Sequence, residues 1–139
     1  MATVTVEATV EIPADRVWQA LADVGAVHLR LLPGRVSRVR LDGDARILTM
    51  PDGAEVRELI VSIDADARRL AYAVVGGQRL PLTYHHAAFQ VFPDGEHARL
   101  VWTTDVLPHD MAGAVRARVE RGIVEIKQTL EGAGPARLS

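Results

Sequence analysis

The chain has 139 residues, 48% of them apolar and 24% charged, with five histidines and no cysteine. That is one domain of ordinary globular balance. It excludes disulfides, iron–sulfur clusters, cysteine-based zinc sites and thiol catalysis, and it makes a reducing cytoplasm the default compartment. A net charge of -2 without a basic stripe argues against nucleic-acid binding. No apolar run is long enough for membrane insertion, and Met1 to Glu7 lacks the basic start and apolar run of a signal peptide.

Thr3 to Ile12 alternates: Val4, Val6, Ala8, Val10 and Ile12 share one face, and Thr3, Thr5, Glu7, Thr9 and Glu11 the other. This is the pattern of a half-buried strand, which Pro13 ends. Asp15 falls in the next first turn, where a carboxylate suits the positive end of a helix. Val17, Trp18, Leu21 and Val24 recur at helical spacing and predict a short helix over 14–24. A second short helix is predicted within 25–34, ending at Pro33-Gly34. Five strands follow at 35–42, 45–50, 54–63, 69–76 and 82–92, punctuated by Asp42-Gly43-Asp44, Pro51-Asp52-Gly53 and Gly76-Gly77. Pro93-Asp94-Gly95-Glu96 turns into a last strand, 97–107, which Pro108 stops.

From Asp110 to 131 the period is helical. Val115, Val119, Ile123, Ile126 and Leu130 form the apolar stripe, and Arg116–Glu120 and Arg121–Glu125 are i,i+4 pairs on the wet side. Gly132 to Pro135 ends the helix, which divides the chain into one domain over 1–131 and a flexible tail over 132–139. The order is strand, two short helices, six strands, one long helix. Seven antiparallel strands of this length bend into a curved sheet, and the long helix covers its open side. One helix cannot fill that space with its own side chains, so an internal cavity suited to a small molecule is expected.

Several of these segments resemble a known family. Ile12-Pro13-Ala14-Asp15-Arg16-Val17-Trp18 resembles the start of the Bet v 1-like, START-related (SRPBCC) superfamily, and in particular its polyketide cyclase/dehydrase and lipid-transport group. Val56-Arg57-Glu58-Leu59 followed by Asp64, Arg68-Arg69-Leu70 and Tyr72 is similar to that group's central pattern, and Phe89, Val91, Pro93, Trp102 and Pro108 continue it. Gly76-Gly77-Gln78-Arg79-Leu80 followed by Tyr84 is similar to a loop and strand of the plant abscisic-acid receptors. The resemblance covers residues 4–131 and implies an α+β helix-grip fold with a ligand cavity. That fold hosts binders, carriers and enzymes alike, so it does not choose among them.

Glu58 is the most informative side chain. Val56, Glu58, Ile60 and Ser62 share one face of their strand, and Arg57, Leu59, Val61 and Ile63 the other. Counting apolar residues turns the second face inward; the family pattern turns Glu58 inward. An inward Glu58 would be a general acid/base or an anchor for a polar ligand atom. An outward one would be a surface carboxylate paired with an arginine of a neighbouring strand. Similarity to the plant receptors places Tyr84 in the cavity, and parity then carries His86 with it and sends His85 away. Tyr72, Trp102, Thr104 and Arg79 complete the expected ligand-binding set. The 50–54 and 76–81 loops occupy positions that resemble the receptors' mobile gate and latch, though their sequences differ, so hormone recognition does not carry over.

No metal is expected: His85 and His86 are adjacent on a strand and point apart, and no HExxH spacing occurs. Without a glycine-rich loop opening a helix or a G-x-S-x-G elbow, neither a nucleotide cofactor nor serine hydrolase chemistry is indicated. The expected function is binding of a small hydrophobic molecule, aromatic, polyketide-like or lipid-like. The alternative is a cofactor-independent cyclase or dehydratase in which Glu58 or His86 is the base and Tyr84 holds a developing oxyanion. A protein partner engaged by the two loops is a weaker third reading.

Overall fold

Alternation in the sequence becomes two-faced strands wherever one side meets the core. The computed structural model describes residues 2–132. β1 (Ala2–Val10) buries Val4, Val6 and Val10 and leaves the threonines and glutamate between them outside. α1 (Ala14–Ala22) starts behind an extended Pro13, carries Asp15 in its first turn and buries Ala14, Val17, Ala20 and Leu21. α2 (Val27–Arg30) is a single turn, shorter than the 25–34 segment predicted.

The chain then forms a meander of β2 (Arg38–Asp42), β3 (Ala45–Thr49), β4 (Glu55–Asp64), β5 (Arg69–Gly76), β6 (Tyr84–Asp94) and β7 (His97–Leu107). β1 returns to pair with β7, giving one antiparallel sheet in the order β1-β7-β6-β5-β4-β3-β2. β2 begins at Arg38 rather than at 35, because Pro33 to Val36 is taken up by a small bridge of its own. A short turn, His109–Met111, leads into α3 (Ala112–Gly132). The tail expected over 132–139 lies outside the described residues, apart from Gly132.

Curvature is built into β4, whose pairing with β5 shifts register at Arg57/Glu58 and again at Ile60/Ser62. Such irregularities bend a strand and increase its twist. The bent sheet wraps α3, whose stripe of Val115, Val119, Ile123, Ile126 and Leu130 is buried and whose packing is closest on β1 and β7. This is the helix-grip arrangement. On the wet side of α3 the two predicted pairs change: Arg116–Glu120 is stretched to 4.0 Å, and Glu125 turns away from Arg121 to Arg35. Gly77 has to be glycine. Its φ is +73°, and a Cβ there would lie 1.9 Å from the Glu55 carbonyl oxygen, so the loop that leaves β5 can pass the start of β4 closely only without a side chain. Among the described residues no helix is long and apolar enough to cross a membrane.

Candidate functional site

Between α3 and the β3–β5 side of the sheet the side chains do not meet. They leave a cavity of about 910 Å³, open at one end, within the usual range of small-molecule pockets. Its apolar wall includes Leu48, Val56, Val74, Val119 and Ile126. Tyr72, Phe89 and Trp102 stand side by side on β5, β6 and β7. The Phe89 and Trp102 rings stack at 4.5 Å and 26°, and the Tyr72 and Phe89 rings at 6.2 Å and 28°. This aromatic ladder offers a flat apolar surface of the kind that planar ligands bury well. Gly122 of α3 faces it: a Cβ there would come within 2.9 Å of the Trp102 ring, so the glycine sets how near the helix lies to the indole.

The polar floor of the cavity is an ion pair. Arg46 and Glu58 are register partners on β3 and β4, and Arg46 Nε donates to Glu58 Oε1 at 2.8 Å. Their side chains are only 4% and 13% exposed. A lone charge so placed would be costly, and each group is tolerated because the other is there. Arg46 also reaches the Val24 carbonyl at 3.4 Å, and its guanidinium carbon lies 5.2 Å from the centre of the Tyr72 ring. Burial, and next the negative charge of Glu58, push the Tyr72 phenol above the ordinary tyrosine value, with Arg46 opposing. Tyr72 therefore stays protonated at neutral pH and is a donor. The Trp102 indole nitrogen is near enough to influence that phenol but makes no well-formed hydrogen bond, so its N–H is buried without a partner.

β6 corrects the expected site. Its buried face carries Ala87, Phe89 and Val91, and the same parity brings His85 to the cavity. Tyr84 is 41% exposed and does not line the cavity. His86 faces the opposite side of the sheet, in a shallow depression with Arg69, Gln90 and Asp105. The physical reason is the apolar run at alternate positions, which must face the core and leaves Tyr84, His86 and Gln90 outside. Burial, and then the charge of His86, hold His85 below the ordinary histidine value, so it is neutral at pH 7.

Glu58, Tyr72 and Trp102 line the cavity, but Thr104 does not. It is fully buried beside its register partners Val4 and Ala87, and its hydroxyl has no partner. On β4, Leu59, Val61 and Ile63 are exposed, so the apolar count that favoured their face fails there. Arg46, His85 and Phe89 are among the cavity residues that the sequence reading did not assign to the site. The first was within reach: the turn centred on Asp52 puts Arg46 six residues before and Glu58 six after, hence opposite one another.

The mouth is edged by the two loops predicted to matter for entry. Arg79 of the second donates to Asp52 of the first at 2.9 and 3.4 Å, holding Asp52 below the usual carboxylate range and joining the loops over the opening. Arg35 forks onto Glu125 of α3 at 2.9 and 2.6 Å. Among the described residues no group of three or more histidine, aspartate or glutamate side chains gathers as a metal site would.

A family model described as polyketide cyclase / dehydrase and lipid transport matches residues 1–131. The chain belongs to that family. Solved structures share the family's fold with it at low identity. An uncharacterised Bacillus thuringiensis protein is 17% identical over 99% of this chain and 100% of its own, with a TM-score of 0.82. The di-domain ARO/CYC BexL of the BE-7585A biosynthetic pathway is 16% identical over 97% of this chain and 48% of its own, with a TM-score of 0.82. Truncated norcoclaurine synthase from Thalictrum flavum is 21% identical over 94% of this chain and 91% of its own, with a TM-score of 0.69. No curated protein sequence matches the chain significantly. The family supports a ligand-binding or cyclase role.

Proposed function

We propose that the protein binds a small hydrophobic molecule, aromatic, polyketide-like or lipid-like, in this cavity. Its apolar body lies against Tyr72, Phe89 and Trp102, and a hydroxyl or amine at its inner end donates to the Glu58 oxygen that Arg46 leaves free. The observation that carries the reading is a satisfied ion pair and an aromatic ladder facing about 910 Å³ of space that α3 leaves unfilled. Occupying that space stabilises the fold by linkage, about 2.7 kcal/mol at a hundredfold excess over Kd. A thermal-shift series of flavonoids, fatty acids and aromatic polyketides, with mass spectrometry of small molecules that co-purify, tests it. At least one class is expected to raise the melting temperature, and Glu58→Gln to weaken that ligand. If no class stabilises the protein and nothing co-purifies, the reading fails.

A second reading, a cofactor-independent cyclase or dehydratase, is favoured by one arrangement: Glu58, Tyr72 and His85 line a single apolar cavity. In this reading Glu58 or the neutral His85 takes a proton from a bound polyketide-like substrate, and the protonated Tyr72 donates to the oxygen where charge develops. Glu58→Gln and His85→Gln are then expected to lower kcat by roughly 10²–10⁴-fold. Tight binding of aromatic polyketides without turnover would leave the binding function alone.

A further inference from the structure

The mouth of the cavity carries more positive charge than its acids can neutralise. Arg35, Arg79, Arg118 and Arg121 all line the opening, together with Asp52 and Glu125. Asp52 engages Arg79 and Glu125 engages Arg35. Arg118 and Arg121 make no ion pair among the described residues, although both lie beside the entrance. Both line the cavity although they are exposed: Arg118, three residues after Val115 and four before Gly122, flanks the buried stripe of α3, and Arg121 stands one turn further on. Arg118 also feels the other three. After burial, the charges of Arg79, Arg121 and Arg35 are what lower its proton affinity. This positive mouth is local, because the whole chain has a net charge of -2. The cavity floor does not add to it, since Arg46 and Glu58 cancel.

We propose that Arg118 and Arg121 form an anion-recognising rim, so that the ligand is an amphipathic anion: an apolar body in the cavity and one carboxylate, sulfonate or similar oxyanion at the mouth. The proposal rests on the cavity-binding reading and specifies its ligand class. Guanidinium groups suit this task because their planar fork meets two oxygens of an oxyanion at once, and the charge stays on at any relevant pH. A bound anion would also relieve the repulsion among the four arginines. Arg79 can join by exchanging Asp52 for the ligand, which couples binding to the bridge between the two loops.

A matched pair of fluorescent probes tests this. Anilinonaphthalene sulfonate and phenylnaphthylamine share an aromatic body and differ in the sulfonate. The native protein is expected to bind both in competition, the sulfonate about tenfold more tightly. That advantage should shrink as salt rises from about 20 to about 500 mM. Arg118→Gln with Arg121→Gln should remove the advantage and leave phenylnaphthylamine within about twofold of its native affinity. Arg118→Lys with Arg121→Lys should keep part of it, and an unchanged melting temperature in each variant shows that the fold is intact. Equal affinity for the two probes in the native protein overturns the anion rim and leaves the cavity reading standing. So does an equal loss of both probes in the glutamine variant. If neither probe binds, the cavity reading falls and takes the rim with it.

Discussion

The two ends of the helix grip are built from the same sheet and the same helix, yet one is solid and the other hollow. At the closed end α1 and the last turns of α3 meet β1, β6 and β7 through Val10, Val17, Leu21, Val91, Leu100 and Leu130, nearly all without solvent exposure. At the other end α3 presents Val115, Arg118 and Gly122 to a wall that holds Arg46, Glu58 and Tyr72. Compact branched side chains interdigitate to crystal-like density. Long charged side chains and a glycine do not, and the charges that remain must be paired. The difference teaches that stability and binding are separated along the helix axis, so a change to the apolar side chains of one end should be read mainly in one property, whereas breaking the buried ion pair of the hollow end touches both.

The largest expected effect is in the solid end. Leu100→Ala or Leu21→Ala should lower unfolding free energy by about 2–5 kcal/mol in denaturant titrations, through lost transfer energy and a new void. Met50→Ala, half-buried at the mouth, should cost below about 1 kcal/mol because solvent already reaches the space it leaves. Equal costs at the two places would abolish the contrast.

Arg46→Met comes next. It leaves Glu58 facing the cavity without its partner and should cost about 2 kcal/mol, below the range for breaking a fully enclosed pair because the cavity opens to water. Arg46→Met combined with Glu58→Met should recover most of that loss in the same titration. If the double variant is no better than the single one, the pair is not what makes the floor tolerable.

A smaller effect separates the two histidines. His85 is buried neutral, with a folded value below the unfolded 6.5, so the native state binds fewer protons than the unfolded one as pH drops. Its contribution is complete above about pH 6.5 and is lost as pH falls through and below that value. Melting temperatures between pH 7.5 and 5 should therefore fall less steeply in His85→Gln than in the parent. His86→Gln removes only the smaller of the two causes that hold His85 down and should flatten the slope less than His85→Gln does. Parallel behaviour of the two variants would mean that β6 does not divide them.

Asp52→Asn should have the smallest effect of all. Asp52 and Arg79 are both well exposed, so melting should not change measurably. Release of the two loops should instead speed probe association and dissociation in stopped-flow fluorescence, and unchanged rates would remove the Asp52–Arg79 bridge from any role at the mouth.

Most of the architecture was legible in the chain because it follows from local chemistry. Proline and glycine punctuation marked the ends of β1, β3 and β5, and period alone separated the long helix from the strands. The cavity was legible from counting, since one amphipathic helix cannot fill a seven-stranded curved sheet. The site was less so. On β4, apolar counting pointed Leu59, Val61 and Ile63 inward, and family resemblance pointed Glu58 inward. On β6 the guides exchanged merit: apolar counting would have turned Ala87, Phe89 and Val91 inward, while resemblance turned Tyr84 and His86 inward.

The reason lies in what each face meets. Sequence by itself determined the order of elements, the turns, the stripe of α3 and the hairpin that sets Arg46 opposite Glu58, because these depend on neighbours in the chain. Only the tertiary structure decided that the inner face of β4 looks into a cavity rather than a packed core, so that a carboxylate can sit there while apolar residues stay outside. It also decided that Glu125 serves Arg35 across the mouth and leaves Arg121 free. Those outcomes depend on the bend of β4 and on the gap left beside α3, and both arise from groups far apart in sequence that approach only once the sheet has closed around the helix.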